Sequence, residues 1–234
     1  MKKLTILIIM SALLMPACAQ QQAGQWSIIP KVGLTLSKVS NDNFLVSLNG
    51  KGLDTVVNSK YKPGFVAGVD VQYQVNHLLA CSLGFFYQQE GERFDDFTFF
   101  DGDQPTEALG SHKLSLGYLA MPLMAHAYVA QGLAFSVGLQ PAFLTNADGS
   151  YETSTITVDE DGHPTYSPPH DEEYDVKHIC NSFNLSVPVG VSYEFQNVVL
   201  AARYNIPLTK TFKSSYGDGR NSTFLFTVGY RIGL

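Results

Sequence analysis

The stretch Asn221-Ser-Thr-Phe-Leu-Phe-Thr-Val-Gly-Tyr-Arg-Ile-Gly-Leu234 ends the 234-residue sequence and decides its fold. Phe224, Phe226, Val228, Tyr230, Ile232 and Leu234 occupy every second position, with Thr223, Leu225, Thr227, Gly229, Arg231 and Gly233 between them. A period of two places the first set on one face of a β-strand and the second on the other. An apolar, aromatic face backed by a mostly small or polar one suits a sheet whose outside is lipid. If this strand closes a barrel against the first, everything upstream should be antiparallel strands joined by alternating short and long connections.

The same period recurs upstream. Residues 26–38 set Trp26, Ile28, Pro30, Val32, Leu34 and Leu36 against Ser27, Lys31, Gly33, Thr35 and Ser37, with Ile29 the apolar exception. Residues 64–75 set Phe65, Ala67, Val69, Val71 and Tyr73 against Gly68, Asp70, Gln72 and Gln74. Residues 78–89, 133–144, 183–195 and 198–208 alternate in the same way. The fourth strand, 113–128, is irregular: Leu114 and Leu116 have one parity, while Leu119, Met121, Leu123, Ala125 and Ala127 have the other. A bulge near Gly117 would reconcile them, because one extra residue flips the facing of all that follow.

Turns at Asn76-His77, Ala130-Gln131-Gly132 and Gln196-Asn197 are short, whereas the connections around 39–63, 90–111, 145–181 and 209–220 are longer. The sequence therefore predicts an all-β protein, an eight-stranded antiparallel up-and-down transmembrane β-barrel with short periplasmic turns and long extracellular loops. An even strand count leaves both mature termini in the periplasm. Tyr151-Glu-Thr-Ser-Thr-Ile-Thr-Val158 alternates within the longest loop, so strands five and six are expected to continue as a hairpin above the membrane. Aromatics near the strand ends, Trp26, Tyr73, Tyr193, Phe195 and Tyr230 at one rim and Phe65, Tyr87, Phe143 and Phe183 at the other, fit interfacial girdles.

Composition agrees. Only 15% of residues are charged and the mean hydropathy is +0.01, as expected when lipid-facing and lumen-facing residues alternate. A net charge of −6 gives no reason to expect nucleic acid. Lys2 and Lys3, the apolar run 4–14 and Ala17-Cys18-Ala19 read as a signal peptide over 1–19. Acylation of Cys18 fits less well, since Met15 stands where a lipoprotein signal carries Leu. Residues 20–25 form a short periplasmic segment and 26–234 the barrel domain. Cys81 and Cys180 fall at different predicted heights, so no disulfide is expected. There is no metal-ligand spacing, cofactor motif or catalytic constellation, and the expectation is a non-enzyme without a cofactor.

Thr227-x-Gly229-x-x-Ile232-x-Leu234 resembles the terminal insertion signal of bacterial outer-membrane barrels, with Leu in place of the usual aromatic residue. Ile29-Pro-Lys-Val-Gly33, Tyr87-Gln-Gln-Glu-Gly91, Tyr118-Leu-Ala-Met-Pro-Leu123 and Ala202-Arg-Tyr-Asn205 resemble the PorT family of outer-membrane β-barrel domains over nearly the whole mature chain. Ala120 departs from the Glu often found there. The resemblance implies the Gram-negative cell outer membrane, with lipid and the barrel-assembly machinery as partners, and it leaves any activity open.

Two groups of residues stand out as sites. Lys31, Asp70, Glu194, Arg203 and Arg231 fall on the inward parity, with His126 a further candidate, and buried charges require partners. They are expected to form a structural ion-pair network in the lumen. Seven of the 21 acidic residues lie between Glu90 and Glu107 and nine between Asp148 and Asp175, so the long loops carry most of the negative charge. Phe94, Phe97, Phe99 and Phe100 sit among these acids, either as a contact surface or as a lid over the mouth. Asp159-Glu-Asp-Gly-His163 reads as turn chemistry in preference to a cation site. The expected role is a structural or surface-interaction module acting through acidic extracellular loops, with an unknown protein or extracellular ligand there and a link to an envelope or secretion assembly. The alternative is a soluble, lipocalin-like periplasmic barrel that binds a small apolar ligand.

Overall fold

The structure, a computed structural model, describes residues 23–40, 44–45, 56–57, 59–101, 104–159, 163–215 and 218–234. The expected leader and Cys18 lie outside them. Eight staves form the barrel: β1 (Trp26–Ser40), β2 (Ser59–Gln74), β3 (Leu79–Phe94), β4 (Gln104–Ala120 and Leu123–Ala130), β5 (Leu133–Val158), β6 (Phe183–Phe195), β7 (Val198–Pro207) and β8 (Arg220–Tyr230 and Ile232–Gly233). Each pairs antiparallel with the next. The ring closes where β8 pairs with β1, from Ser40↔Arg220 to Lys31↔Gly229 and on to Ile28↔Ile232. The Leu234 amide donates to the Trp26 carbonyl at 2.9 Å, so the terminal stretch seals the barrel to its last residue.

Alternation sets the two faces. On β1, Trp26, Val32, Leu34 and Leu36 are exposed, and Ser27, Ile29, Thr35, Ser37 and Val39 are buried. The other staves follow, and exposed Phe65, Phe85, Leu123, Phe135, Leu139, Leu200 and Phe226 complete an apolar outer belt. A water-soluble binding barrel needs the reverse, an apolar lumen under a polar exterior. Rings pair along the belt's borders: Trp26 with Tyr73 at 4.8 Å near one end, Phe65 with Tyr87 and Phe143 with Phe183 at 5.5 Å near the other.

Three tight turns close one end. Gln196 and Asn197 have φ of 48° and 71°, the paired positive φ of a type I′ hairpin turn. Gly132 has φ of 72°, which a side chain would strain, and a Cβ there would meet the Glu194 carbonyl at 2.3 Å. At the Asn76-His77 turn the Asn76 side chain accepts from the Leu78 and Leu79 amides.

At the long-loop end the strands outrun the expected boundaries. β3 continues to Phe94, and β4 begins at Gln104 with Phe97–Asp101 paired against it, so most of the expected 90–111 loop is sheet. β5 runs 26 residues to Val158 and pairs with β4 as far as Glu107↔Thr155. The chain returns through Pro164–Tyr166 and His170–Asp175, both paired with β5. The expected extension of strand five is present. Its returning leg is separate from β6, which starts only at Phe183.

The expected bulge in the fourth strand is corrected by the register. Gly117 pairs with Asn146 and Tyr118 with Leu144, so the extra residue is Thr145, on β5. Its hydroxyl donates to the Gly117 carbonyl at 2.9 Å. From His112 on, β4 keeps one parity, with Leu114, Leu116, Tyr118, Ala120 and Met124 all buried; its own irregularity lies higher, between Gly110 and Lys113. β5 flips, from Ala142 and Leu144 inward to Ala147 inward. Leu114 and Leu116 therefore point inside. The apolar residues they meet there are loop side chains that close the mouth.

Candidate functional site

The lumen has three tiers. Nearest the tight turns it is polar and charged. Lys31 Nζ lies 2.5 Å from Asp70 Oδ2, a pair made across neighbouring staves β1 and β2. Arg231 Nε lies 2.8 Å from Glu194 Oε1, and both side chains are buried. Arg231 Nη2 also reaches Tyr128 Oη at 3.4 Å and Gln72 Oε1 at 3.5 Å, and Gln72 Nε2 donates to Tyr128 at 2.9 Å. Ser82 and His126 Nε2 share a hydrogen bond of 2.9 Å. Lys31, Asp70, His126, Tyr128, Glu194 and Arg231 line a cavity of about 50 Å³. That is room for about three to five waters, at 10–15 Å³ each. Asp70 Oδ1, Arg203 Nε and Arg231 Nη1 have no protein partner in this tier.

Arg203 departs from the expected network. It makes no direct ion pair among the described residues. Its guanidinium stands 5.8 Å from the centroid of the Phe86 ring, with the Asp70 and Glu90 carboxylates acting on it. Phe86, Val66 and Leu225 form a small apolar waist here, so Arg203 stands where the lumen narrows between two polar tiers. Parity placed its side chain inside but does not choose a partner.

The second tier holds Glu90, which sequence reading assigned to a loop. It is buried and accepts from Gln88 Nε2 at 2.6 Å and from Asn221 Nδ2. Its period-two spacing from Phe86 and Gln88 was the available signal.

The third tier is mainly apolar, with Glu92 buried opposite Leu114. Val39, Phe94, Leu114, Leu116, Leu144 and Ala147 pack with Val176, Cys180 and Phe212 from the loops. Cys180 and Phe212 form an isolated β-bridge, and burial pushes the Cys180 thiol up to about 11. Of the two expected places for Phe94, contact surface or lid over the mouth, the structure gives the lid. It continues the inward parity of β3 and stacks on His112 at 4.8 Å, so it belongs to the closure of the mouth. Phe97, Phe99 and Phe100 lie on the strand Phe97–Asp101, and their side chains lie outside the described residues.

Above the mouth stands a sheet of four strands: Phe97–Asp101, β4, β5 and the returning leg. One face of its base is an aromatic cluster. His112 Nε2 and Tyr174 Oη are 3.0 Å apart, and Tyr151 contacts both rings. Tyr174 lies over Gly149, where a Cβ would meet the ring at 2.3 Å, so Gly admits the aromatic lid. Burial lowers the His112 pKa and raises that of Tyr174. On the opposite face the ladder brings Asp148 against Asp175, Ser150 against Glu173 and Glu152 against Asp171. Five carboxylates thus share one exposed strip. Asp159 and His163 close a turn through the His163 amide to Asp159 Oδ1 at 2.7 Å; residues 160–162 of the candidate cation motif lie outside the described residues.

A family model for the outer membrane protein beta-barrel domain matches residues 18–213. No curated protein matches the chain. Among solved structures it is similar to Ail, the attachment invasion locus protein of Yersinia pestis, at 15% identity, covering 90% of this chain and 100% of that one with a TM-score of 0.42. Neisserial surface protein A is 14% identical over 88% of this chain and 97% of its own, with a TM-score of 0.45. OprG from Pseudomonas aeruginosa is 12% identical over 91% and 98%, with a TM-score of 0.36.

Proposed function

The chain belongs to the outer membrane protein beta-barrel domain family and is an integral outer-membrane barrel, and from that premise we propose that it is a non-enzymatic surface-interaction module whose working part is the acidic sheet above the mouth. The barrel then serves as the anchor, with the long-loop end outside the cell and both termini in the periplasm. The resemblance to the PorT family supports a link to an envelope or secretion assembly.

The observation that carries this reading is the carboxylate strip. Asp148 faces Asp175 and Glu152 faces Asp171 directly across a two-stranded ladder. Like charges in that position repel and are unfavourable for an isolated sheet. A cationic partner laid along the strip offsets that repulsion. The ladder and the packed His112–Tyr174 face hold the strip in a fixed shape, which lowers the ordering cost of binding.

The test uses the full-length barrel in phosphatidylcholine vesicles and a Lys/Arg-rich peptide as the probe. Wild type should bind it with an affinity that falls as salt rises. The triple variant Asp171→Asn, Glu173→Gln, Asp175→Asn should lose most of that binding and keep its fold. Equal binding by both proteins would refute the role given to the strip.

A further inference from the structure

The outer face of the upper sheet is divided by charge. Lower down, that face is the lipid-facing wall, where Leu119 on β4 and Phe143 on β5 are exposed. Higher on β4, Lys113 and Ser115 keep the parity of Leu119, and on β5 the extra residue Thr145 brings Asp148 opposite Ser115. The acidic strip therefore looks sideways, over the lipid, toward any barrel that stands alongside. One cross-strand row at this level reads Arg93, Lys113, Ser150, Glu173. Cross-strand partners share a face, so cations occupy β3 and β4, and carboxylates occupy β5 and the returning leg. We infer that the cationic partner of the acidic strip is a second copy of this chain, joined side by side in the membrane so that Arg93 and Lys113 of each copy lie on the carboxylates of the other. This names the occupant of the strip and rests on the role given to it above.

The row is self-complementary about a twofold axis. An axis along the membrane normal keeps both copies at one height in one bilayer and sets the same patch against itself. Placed between β4 and β5, it reverses the row. Arg93 then meets Glu173 of the second copy, and Lys113 meets Ser150, with Asp148 and Glu152 two residues to either side of that serine. Among the described residues Arg93 and Lys113 make no ion pair, and Glu152, Asp171 and Glu173 make none. Asp148 accepts from Asn146 Nδ2 at 3.1 Å, a neutral donor that leaves its charge unmet. The other cations nearby are engaged. Lys60, across from Arg93, is paired with Asp95, and Lys177, at the foot of the strip, donates its Nζ to the Thr145 carbonyl at 2.7 Å.

A second copy fits this face better than a soluble polycation does. A polycation laid on the strip brings its charges up against Lys113 and Arg93, which flank the strip on the same face. A copy of the same face brings carboxylates there instead, so both halves of the pattern find opposite charge. Exposed ion pairs are individually weak. Anchoring in one membrane compensates, because both faces are already held at one height and orientation, which lowers the cost of association.

The experiment uses full-length barrels carrying a donor or an acceptor dye at the mature N-terminus, reconstituted together at low density in phosphatidylcholine vesicles, with energy transfer as the readout. Wild type should show more transfer than randomly spread barrels, and the excess should fall as salt rises. Each exposed ion pair strengthens association by about 1.4- to 5-fold, and symmetry counts every substitution twice. Arg93→Gln with Lys113→Gln removes four pairs and should weaken association roughly 4- to 600-fold. Arg93→Glu with Lys113→Glu leaves the face acidic, and Glu152→Lys, Asp171→Lys and Glu173→Lys together leave it mainly basic. Neither reversed variant should transfer to itself. Donor barrels of one mixed with acceptor barrels of the other should transfer at least as well as wild type. The Gln variant carries the test if a reversed variant fails to fold. Wild-type transfer no higher than random spreading would overturn the inference, and so would a mixture of reversed variants no better than either alone, or a Gln variant that associates like wild type. If the Lys/Arg-rich peptide still binds wild type in that case, the strip keeps its cation-binding role and only the second copy is excluded as its occupant. If the peptide does not bind either, the role given to the strip falls as well.

Discussion

Replacing Arg231 by Leu tests whether the charged lower lumen holds the barrel together. Arg231 is buried, its Nε lies 2.8 Å from Glu194 Oε1, and the Glu194 side chain is itself about nine-tenths buried. Truncation leaves that carboxylate without its guanidinium, a change that costs about 3–5 kcal/mol when the survivor stays charged and buried. The two further contacts of Arg231, at 3.4 and 3.5 Å, are long and add little. The neighbouring polar cavity of about 50 Å³ can hydrate the carboxylate, which moves the expectation to the low end, about 3 kcal/mol. Changing both Glu194 and Arg231 to Leu removes the stranded charge and should recover most of that loss. The single tryptophan, Trp26, faces outward beside Tyr73 at the tight-turn rim and leaves the bilayer on unfolding, so its fluorescence reports the transition. With a urea slope of about 1–3 kcal/mol/M, a loss of about 3 kcal/mol moves the midpoint down by roughly 1–3 M. A single variant within about 1 kcal/mol of wild type, or a double variant no better than the single, would refute the pairing as a structural element.

Val189→Arg, on the outer face of β6 opposite Tyr204 and Val137, should cost roughly 2–4 kcal/mol in vesicles if it lies near the bilayer midplane. The same change at exposed Thr155 should cost little, and equal tolerance at the two sites would reverse the assignment of faces. His112 is held neutral by burial, so an unfolded upper sheet takes up the proton first. Stability of that sheet should be full above the ordinary histidine pKa of about 6.5 and fall as pH drops from there toward the lowered value. Amide exchange of residues on β4 and β5 above the mouth would show this, and His112→Gln should flatten it. In planar bilayers the protein should give no large single-channel steps, because an eight-stranded lumen is filled by its own side chains; reproducible large conductance would contradict the packed third tier.

The staves were legible because lipid outside and side chains inside impose a period of two, and seven segments show it with only single apolar exceptions such as Ile29, Phe86 and Leu225 on the inward face. Their ends were not. Above the membrane both faces meet water or loops, so an apolar residue no longer marks the lipid side. Leu114 and Leu116 illustrate the failure: as leucines on a barrel strand they read as lipid-facing, yet they support the closed mouth. That reading required a parity flip and correctly located its level, near Gly117, but attached it to the wrong strand. Thr145, beside Asn146 in what looked like loop sequence, carries it. Phe94 reads equally as contact surface or lid for the same reason, since an aromatic among aspartates looks exposed when the strand that buries it has not been extended far enough. For the charged lumen, parity put Lys31, Asp70, Glu194, Arg203 and Arg231 on one face, but pairing depends on shear around the ring, which sequence does not display. Lys31 meets Asp70 on the neighbouring stave, Arg231 reaches Glu194 two staves away, and Arg203 meets an aromatic ring.

The three tiers bear on where the protein can act. A solute entering from the long-loop end would have to displace Leu116, Leu144, Phe212 and Cys180 from a packed cluster to pass into the lumen below. Below that it would meet the Val66–Phe86–Leu225 waist. Opening either barrier exposes apolar side chains to water. The polar lower tier is thus a pocket with hydration at one end, and its charges are arranged for closure. What the fold presents to its surroundings is outside the lumen: an apolar belt and, beyond it, a sheet whose outer face carries Asp148, Glu152, Asp171, Glu173 and Asp175.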